Sequence, residues 1–174
     1  FSHFQLNPYL DFTGSNWKAI VGMNVHFTFD ESDKILWTPN VLASLNVTET
    51  TSLYGNIDGN VNENTLKDIL IENRYALPSE RIKPSRTYYD AEIGVKSGVV
   101  KGLEFNIFTG YKYTSGEHFY YAVNNPFTTS DDIYQSINSV LYANLGQGKI
   151  GGQLKSNLIP FIDFSTRLTA YFYN

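Results

Sequence analysis

The chain contains 174 residues, of which 42% are apolar, 16% aromatic and only 17% charged, and its formal net charge at neutral pH is -4. No run of about 18 apolar residues is present, which excludes a transmembrane helix, and the absence of cysteine excludes disulfides and thiolate metal sites. The acidic, mixed charge gives no indication of a nucleic-acid surface.

A strict two-residue alternation organises most of the chain. In WKAIVGMNVHFTF, residues 17–29, every second residue is apolar and the residues between are mostly polar. This period predicts a β-strand with one apolar and one polar face. The pattern recurs at 4–12, 35–47, 51–59, 86–96, 103–112, 132–144, 148–158 and 161–172. We therefore predict an all-β antiparallel meander of about nine strands, most of them longer than the usual ~5–6 residues.

Two segments interrupt the alternation, and we predict both as long loops. In residues 60–85, Leu66, Ile69 and Leu70 have helical spacing and follow two candidate caps, Asn64 and Thr65, which predicts a short helix at 65–74. Residues 114–131 carry no regular pattern.

The remaining connections between predicted strands are short. In a meander, alternate connections lie at opposite ends, so the predicted turns at 13–16, 48–50, 97–102 and 145–148 share one end. Both long loops fall at the other end, together with 30–34 and 157–160. Outer-membrane barrels have short turns at one end and longer outer loops at the other.

The alternation leaves open whether the apolar face meets lipid or a protein core. A tilted strand needs ~9–11 residues to cross a bilayer, and these strands are long enough. The polar face carries charges along its length, which suits a hydrated lumen. The sequence therefore predicts a lumen-facing set: Arg86, Asp90, Glu92, Lys96, Glu104, Lys112, Lys155, Asp163 and Arg167. It also predicts a lipid-facing set: Val21, Met23, Val25, Phe27, Phe105, Ile107, Phe164 and Leu168.

Four segments carry a resemblance to a known family: LNPYLDFTGSNWKAIVGMNVHFTF, PNVLASLNVTETTSLYGNIDGNV, NRYALPSERIKPSRTYYDAEIGVKS and GLEFNIFTGYKYTSGEHFYY. Over residues 4–172 the chain resembles the β-barrel portion of TonB-dependent outer-membrane receptors of the Bacteroidetes type. The resemblance implies a barrel of about twenty-two strands with an N-terminal plug and a TonB box, neither of which is visible here. We therefore expect residues 1–174 to be a single barrel segment and a fragment of a larger barrel. The predicted strand number of about nine is odd, whereas single-chain bacterial barrels have an even number of strands.

No catalytic or metal-binding pattern accompanies these strands. His3, His26 and His118 have no metal-ligand spacing, and no nucleophile elbow, phosphate loop or Ser/His/Asp arrangement is present. We predict no enzyme activity, no metal and no cofactor. The binding candidates lie instead in the aromatic stretch HFYYAVNNPF, residues 118–127, whose rings and amides suit sugar or peptide ligands: His118, Phe119, Tyr120, Tyr121, Asn124 and Asn125. The alternative is that these rings pack the loop onto its neighbour.

The sequence thus favours an outer-membrane barrel segment of a Gram-negative bacterium, acting in uptake of a nutrient or siderophore-type ligand. Its expected partners are outer-membrane lipid, the remaining strands and plug of the barrel, the TonB system and a small-molecule, glycan or siderophore ligand. Two alternatives stay open: a soluble all-β binding or structural domain that uses its aromatic loop, and a small complete outer-membrane barrel acting as a pore or adhesin. An outer-membrane enzyme ranks below both.

Overall fold

The computed structural model describes residues 2–29, 34–76, 82–124, 136–159 and 161–174. Within these ranges the chain forms nine strands and one helix. In chain order they are β1 (Ser2–Leu6), β2 (Tyr9–Thr13), β3 (Trp17–Phe29), β4 (Lys34–Asn46), β5 (Thr51–Asn62), α1 (Leu66–Glu72), β6 (Ser85–Val100), β7 (Leu103–Asn124), β8 (Ser136–Ile159) and β9 (Ile162–Tyr173).

All nine strands belong to one antiparallel sheet. Its hydrogen-bonded order is β1-β3-β4-β5-β6-β7-β8-β9, and β2 pairs with β3 beside β1. The register of β3 with β4 runs without interruption from Trp17 opposite Leu45 to Thr28 opposite Lys34. The prediction of an all-β, up-and-down antiparallel meander with one short helix is confirmed.

The number of strands matches the prediction, but three of the predicted strands were wrong in their bounds. The first one breaks into β1 and β2 at Pro8, whose ring removes the ladder donor and whose carbonyl accepts a hydrogen bond from the Met23 amide at 3.1 Å. The strands predicted at 132–144 and 148–158 are one strand, β8, so 145–148 is not a turn. The Gly146 amide and carbonyl pair with Asn174 at 3.1 and 3.0 Å, which carries the ladder through this glycine-rich stretch.

This correction moves one connection to the other end of the meander. Because β8 is continuous, the connection at 160–161 lies at the same end as those at 14–16, 47–50 and 101–102. Strands β3 and β4, β5 and β6, and β7 and β8 are connected at the other end. The segregation of short from long connections is therefore cleaner than predicted. The predicted loop at 114–131 was wrong in its first part, because β7 continues to Asn124, and its remainder lies outside the described residues.

The chain divides into two compact units. Unit 1 comprises residues 1–60, 87–113 and 146–174, and unit 2 comprises residues 61–86 and 114–145. Five apolar residues are buried in the described parts of the chain, and Phe108 is the only one of them in unit 1. Unit 1 is thus a sheet without an apolar core of its own.

Unit 2 has a small core of its own. Ile69 from α1 packs with Ala76 and Val140, and Ile82, Tyr120 and Tyr142 pack against this cluster. The helix begins with a complete capping box, in which Thr65 accepts from the Asp68 amide and the Asp68 carboxylate accepts from the Thr65 amide. The predicted helix is confirmed, with Thr65 as its cap.

Candidate functional site

The polar face of unit 1 contains a hollow of about 880 Å³. Strands β5 to β9 and the adjoining turns provide its walls. The charged residues that line it are Glu49, Glu92, Lys96, Lys101, Glu104, Lys155 and Arg167, and polar Tyr54, Asn106 and Gln153 lie among them. The hollow is therefore a wet, charged surface of mixed sign.

A partly buried ion-pair node lies beside the hollow. The Lys149 ammonium is 3.1 Å from Asp90 Oδ1 and 3.0 Å from Glu92 Oε2, and the lysine side chain is only 16% exposed. The Tyr54 hydroxyl donates to Glu92 Oε1 at 3.1 Å. These contacts join three strands. Both carboxylate oxygens of Glu92 have partners within the protein, although Glu92 lines the hollow.

Two aromatic rings lie on this otherwise polar face, each against a glycine of the next strand. A Cβ on Gly94 would lie 2.5 Å from the Tyr54 hydroxyl, and a Cβ on Gly151 would lie 2.5 Å from Phe108 Cζ. The glycines provide the space that the rings fill. Each ring in turn carries a cation: Lys96 Nζ is 4.7 Å from the Tyr54 centroid, and Arg167 Cζ is 4.4 Å from the Phe108 centroid.

A second polar cluster on unit 1 is centred on the buried side chain of Asn24. Asn24, only 4% exposed, accepts from Asn7 and Asn40 and donates to Asp58 Oδ1 at 3.0 Å and to the Gly59 carbonyl at 2.7 Å. Because the hydrogen-bonding capacity of the Asn24 side chain is met within the protein, this side chain ties β3, β4 and β5 together and is not available to a ligand.

The structure brings together five of the nine residues predicted to face a lumen. Glu92, Lys96, Glu104, Lys155 and Arg167 line the hollow. Asp90 joins the ion-pair node, and Asp163 lines a second hollow of about 250 Å³ that shares Glu104 and Lys155. The others, Arg86 and Lys112, lie on β6 and β7 outside both hollows.

The residues predicted to face lipid lie on the opposite register of the same strands. Leu168 is 81% exposed, Ile107 58%, Phe164 55%, and Val21 and Met23 just under half. The remaining members, Val25, Phe27 and Phe105, are partly buried. Two members also border the polar hollows, Phe105 the larger one and Phe164 the smaller one, which departs from the prediction for these two residues. Their contact with lipid stays a prediction, and the structure shows that this apolar face has no protein cover in the described chain.

The predicted ligand-contacting aromatics lie on β7 rather than in a loop. His118 Nε2 donates to Glu72 Oε2 at 2.7 Å, and the Tyr120 hydroxyl donates to the same oxygen at 3.0 Å. The hydrogen bond from His118, reinforced by the one from Tyr120, lowers the pKa of Glu72 below its ordinary value. These two side chains hold α1 against β7, as the alternative reading expected.

The other residues predicted to contact a ligand differ in exposure and in whether the structure describes them. Phe119 and Tyr121 are exposed at 39% and 49%. Asn124 is the last residue of β7, and Asn125 lies outside the described residues. Ligand contact by this group stays a prediction.

The predicted lumen-facing set left out Tyr54, Phe108 and Lys149. Tyr54 lines the hollow. Phe108 contacts Arg167 and Lys149 contacts Glu92, and both of these partners line the hollow. A signal was present, because Phe108 and Gly110 interrupt the polar register that Glu104 and Asn106 begin. Gly94 and Gly151 likewise occupy polar positions on their strands. A glycine on a strand marks a close approach by another group.

Two kinds of feature are absent from the described residues. No helix there is long and apolar enough to cross a membrane. No cluster of three or more histidine, cysteine, aspartate or glutamate side chains there is arranged to hold a metal ion.

Comparison with known proteins gives a match in structure alone. No protein-family model and no curated protein matches the chain. Among solved structures, the siderophore receptor PirA from Pseudomonas aeruginosa superposes with a TM-score of 0.66 at 12% identity, covering 98% of this chain and 34% of that one. The copper transporter OprC superposes with a TM-score of 0.62, also at 12% identity, covering 98% of this chain and 29% of that one.

The likeness establishes the fold. The chain spans about a third of the length of these two proteins, and almost all of it superposes on a portion of each. The chain accordingly has the fold of part of an outer-membrane β-barrel.

Proposed function

We propose that this chain forms part of the barrel wall of a TonB-dependent outer-membrane receptor of the Bacteroidetes type, which takes up a nutrient or siderophore-type ligand. The protein resides in the outer membrane of a Gram-negative bacterium. The remaining strands of the barrel, a plug and the TonB system complete it. The chain acts by shape and electrostatics and carries no chemistry of its own.

One observation carries this proposal. Unit 1 exposes large apolar side chains on one face and charges on the other, and Phe108 is its only buried apolar residue among those described. A soluble sheet of this size buries one face against a second layer, since burial of apolar area is the main favourable term in folding. Lipid on the apolar face and water on the charged face satisfy this sheet without a second layer.

The structural neighbours add support from another direction. One is a siderophore receptor and the other a copper transporter, and almost the whole of this chain superposes on each. Both proteins move or receive a metal-related ligand, which agrees with an uptake role for this chain.

Site-directed labelling tests the two faces directly, because the chain has no cysteine and any introduced thiol is unique. Leu168→Cys and Ser165→Cys lie on β9 on opposite registers. After reconstitution into vesicles, we expect a fluorophore at position 168 to be quenched by a spin-labelled acyl chain and one at position 165 by aqueous iodide. Folding in buffer as a monomer, with both positions quenched by iodide, would establish the soluble alternative instead.

A further inference from the structure

The cations that face the hollow of unit 1 are not neutralised by carboxylates. Four basic residues, Lys96, Lys101, Lys155 and Arg167, line it together with three acidic residues, Glu49, Glu92 and Glu104. Of the acidic residues, Glu92 is already bound by Lys149 and Tyr54. No ion pair engages Lys96 or Arg167 in the part of the chain that the structure describes.

Aromatic rings hold two of these cations in place. Lys96 lies over Tyr54, and Arg167 lies over Phe108, whose ring is 1% exposed and fixed against Gly151. A ring face attracts a cation without satisfying its N–H donors, because the attraction comes from the ring quadrupole. Both side chains are exposed, and both keep donors for a ligand while losing part of their conformational freedom.

The spacing of the two ring–cation pairs indicates the size of the ligand. The rings stand on β5 and β7, and adjacent strands lie ~4.8 Å apart, so the two rings are separated by roughly 10 Å across the sheet. The amides of Asn106 and Gln153 line the same hollow. A solute with several acidic groups can place one group at each ring-bound cation.

We propose that Lys96 and Arg167, each fixed over a ring, form an oxyanion-binding site for a solute that carries more than one carboxylate or phosphate group. Guanidinium and ammonium groups bind both kinds of oxyanion through charge-assisted hydrogen bonds. Glu104 limits the affinity from within the hollow, and Glu49 limits it from the rim. The inference rests on the proposed function in one respect, that the polar face is open to water.

Calorimetric titration of the whole protein in a neutral detergent tests the site. The probes are citrate and inorganic triphosphate, with acetate and inorganic phosphate as single-group comparisons, all at low ionic strength because salt screens the site. We expect saturable binding of at least one multivalent probe and much weaker binding of both single-group probes. Binding of citrate alone assigns a carboxylate ligand, and binding of triphosphate alone assigns a phosphate ligand.

Matched variants separate a site from bulk charge. The double variant Lys96→Gln with Arg167→Gln is expected to weaken binding at least tenfold, which is the loss of one charged hydrogen bond or more. The double variant Lys18→Gln with Lys67→Gln removes the same charge outside the hollow and should leave affinity within twofold. Glu104→Gln should tighten binding, and Phe108→Leu should weaken it severalfold because Arg167 loses its ring.

Two results would overturn the site. One is the absence of saturable binding to protein whose folded β-structure is confirmed by circular dichroism. The other is an equal loss of affinity in the two double variants. Neither result touches the proposed function, which fails separately if the face labelling shows both registers of β9 in water.

Discussion

Gly94 provides the most direct test of how the polar face is built. An alanine there would place its Cβ 2.5 Å from the Tyr54 hydroxyl and 2.6 Å from two ring carbons, so the ring must leave its position. Tyr54 then loses its 3.1 Å hydrogen bond to Glu92 and its contact with Lys96. A hydrogen bond to a charged group contributes about 1.5–3 kcal/mol, and a cation–π contact contributes about 0.5–1 kcal/mol.

A glycine-to-alanine change also stabilises through the unfolded chain, by about 0.4–1 kcal/mol. The expected net effect of Gly94→Ala is therefore a loss of about 1–3 kcal/mol in the free energy of unfolding. Gly98→Ala on the same strand is the matched control, because its Cβ would meet nothing closer than 4.0 Å. This control should be neutral or slightly stabilising.

A double-mutant cycle identifies the cause. In a Tyr54→Ala background no ring remains to be displaced, so Gly94→Ala should be neutral or slightly stabilising there, and the coupling should be about 2–4 kcal/mol, the sum of the two lost contacts. The assay is urea unfolding of the protein folded into lipid vesicles, followed by circular dichroism. If Gly94→Ala destabilises equally with and without Tyr54, the ring and the glycine do not form a unit and the reasoning is refuted.

Three further predictions concern unit 2. Ile69→Ala should destabilise α1 by about 2–5 kcal/mol because the side chain is fully buried. The control Ile71→Ala, at a position that is 71% exposed, should change the stability little. Protease cleavage of the helix measures both variants, and equal effects would contradict the assignment of Ile69 to the core. The pKa of Glu72 is held below its ordinary 4.5, first by His118, so this contact stabilises unit 2 above that pH and is lost as pH falls through the lower folded value. Hydrogen exchange of α1 between pH 7 and pH 3 should show this acid loosening. Glu72→Gln should reduce the pH dependence and leave the part that comes from Asp68 in the capping box, whose pKa is also lowered by its hydrogen bonds to Thr65. A variant as acid-sensitive as the parent would exclude Glu72 as a source. Thr65→Ala should remove the capping box at a cost of about 0.5–2 kcal/mol, and unchanged exchange at the start of α1 would show that the cap contributes nothing.

Local pattern alone determined much of this protein. The alternation of residues 17–29 specifies a two-faced strand, because successive side chains of a strand point to opposite faces. This alternation, and its recurrence on later strands, predicted the exposed apolar positions Met23 and Ile107. It also predicted the polar positions Glu92 and Lys96. The helix was equally local, since Thr65 and Asp68 satisfy the free amides of its first turn within four residues.

Only the tertiary structure decided the features that depend on contacts between distant segments. The stretch at 145–148 has the composition of a turn, yet it is strand because Asn174 pairs with Gly146 across the sheet. His118 and Tyr120 read as loop residues open to a ligand, yet Glu72, distant in sequence, binds both. The hollow depends on rings, glycines and cations from five strands. The alternation assigns each of these residues to a face, but their proximity depends on strand register, which is set by contacts between segments far apart in the chain.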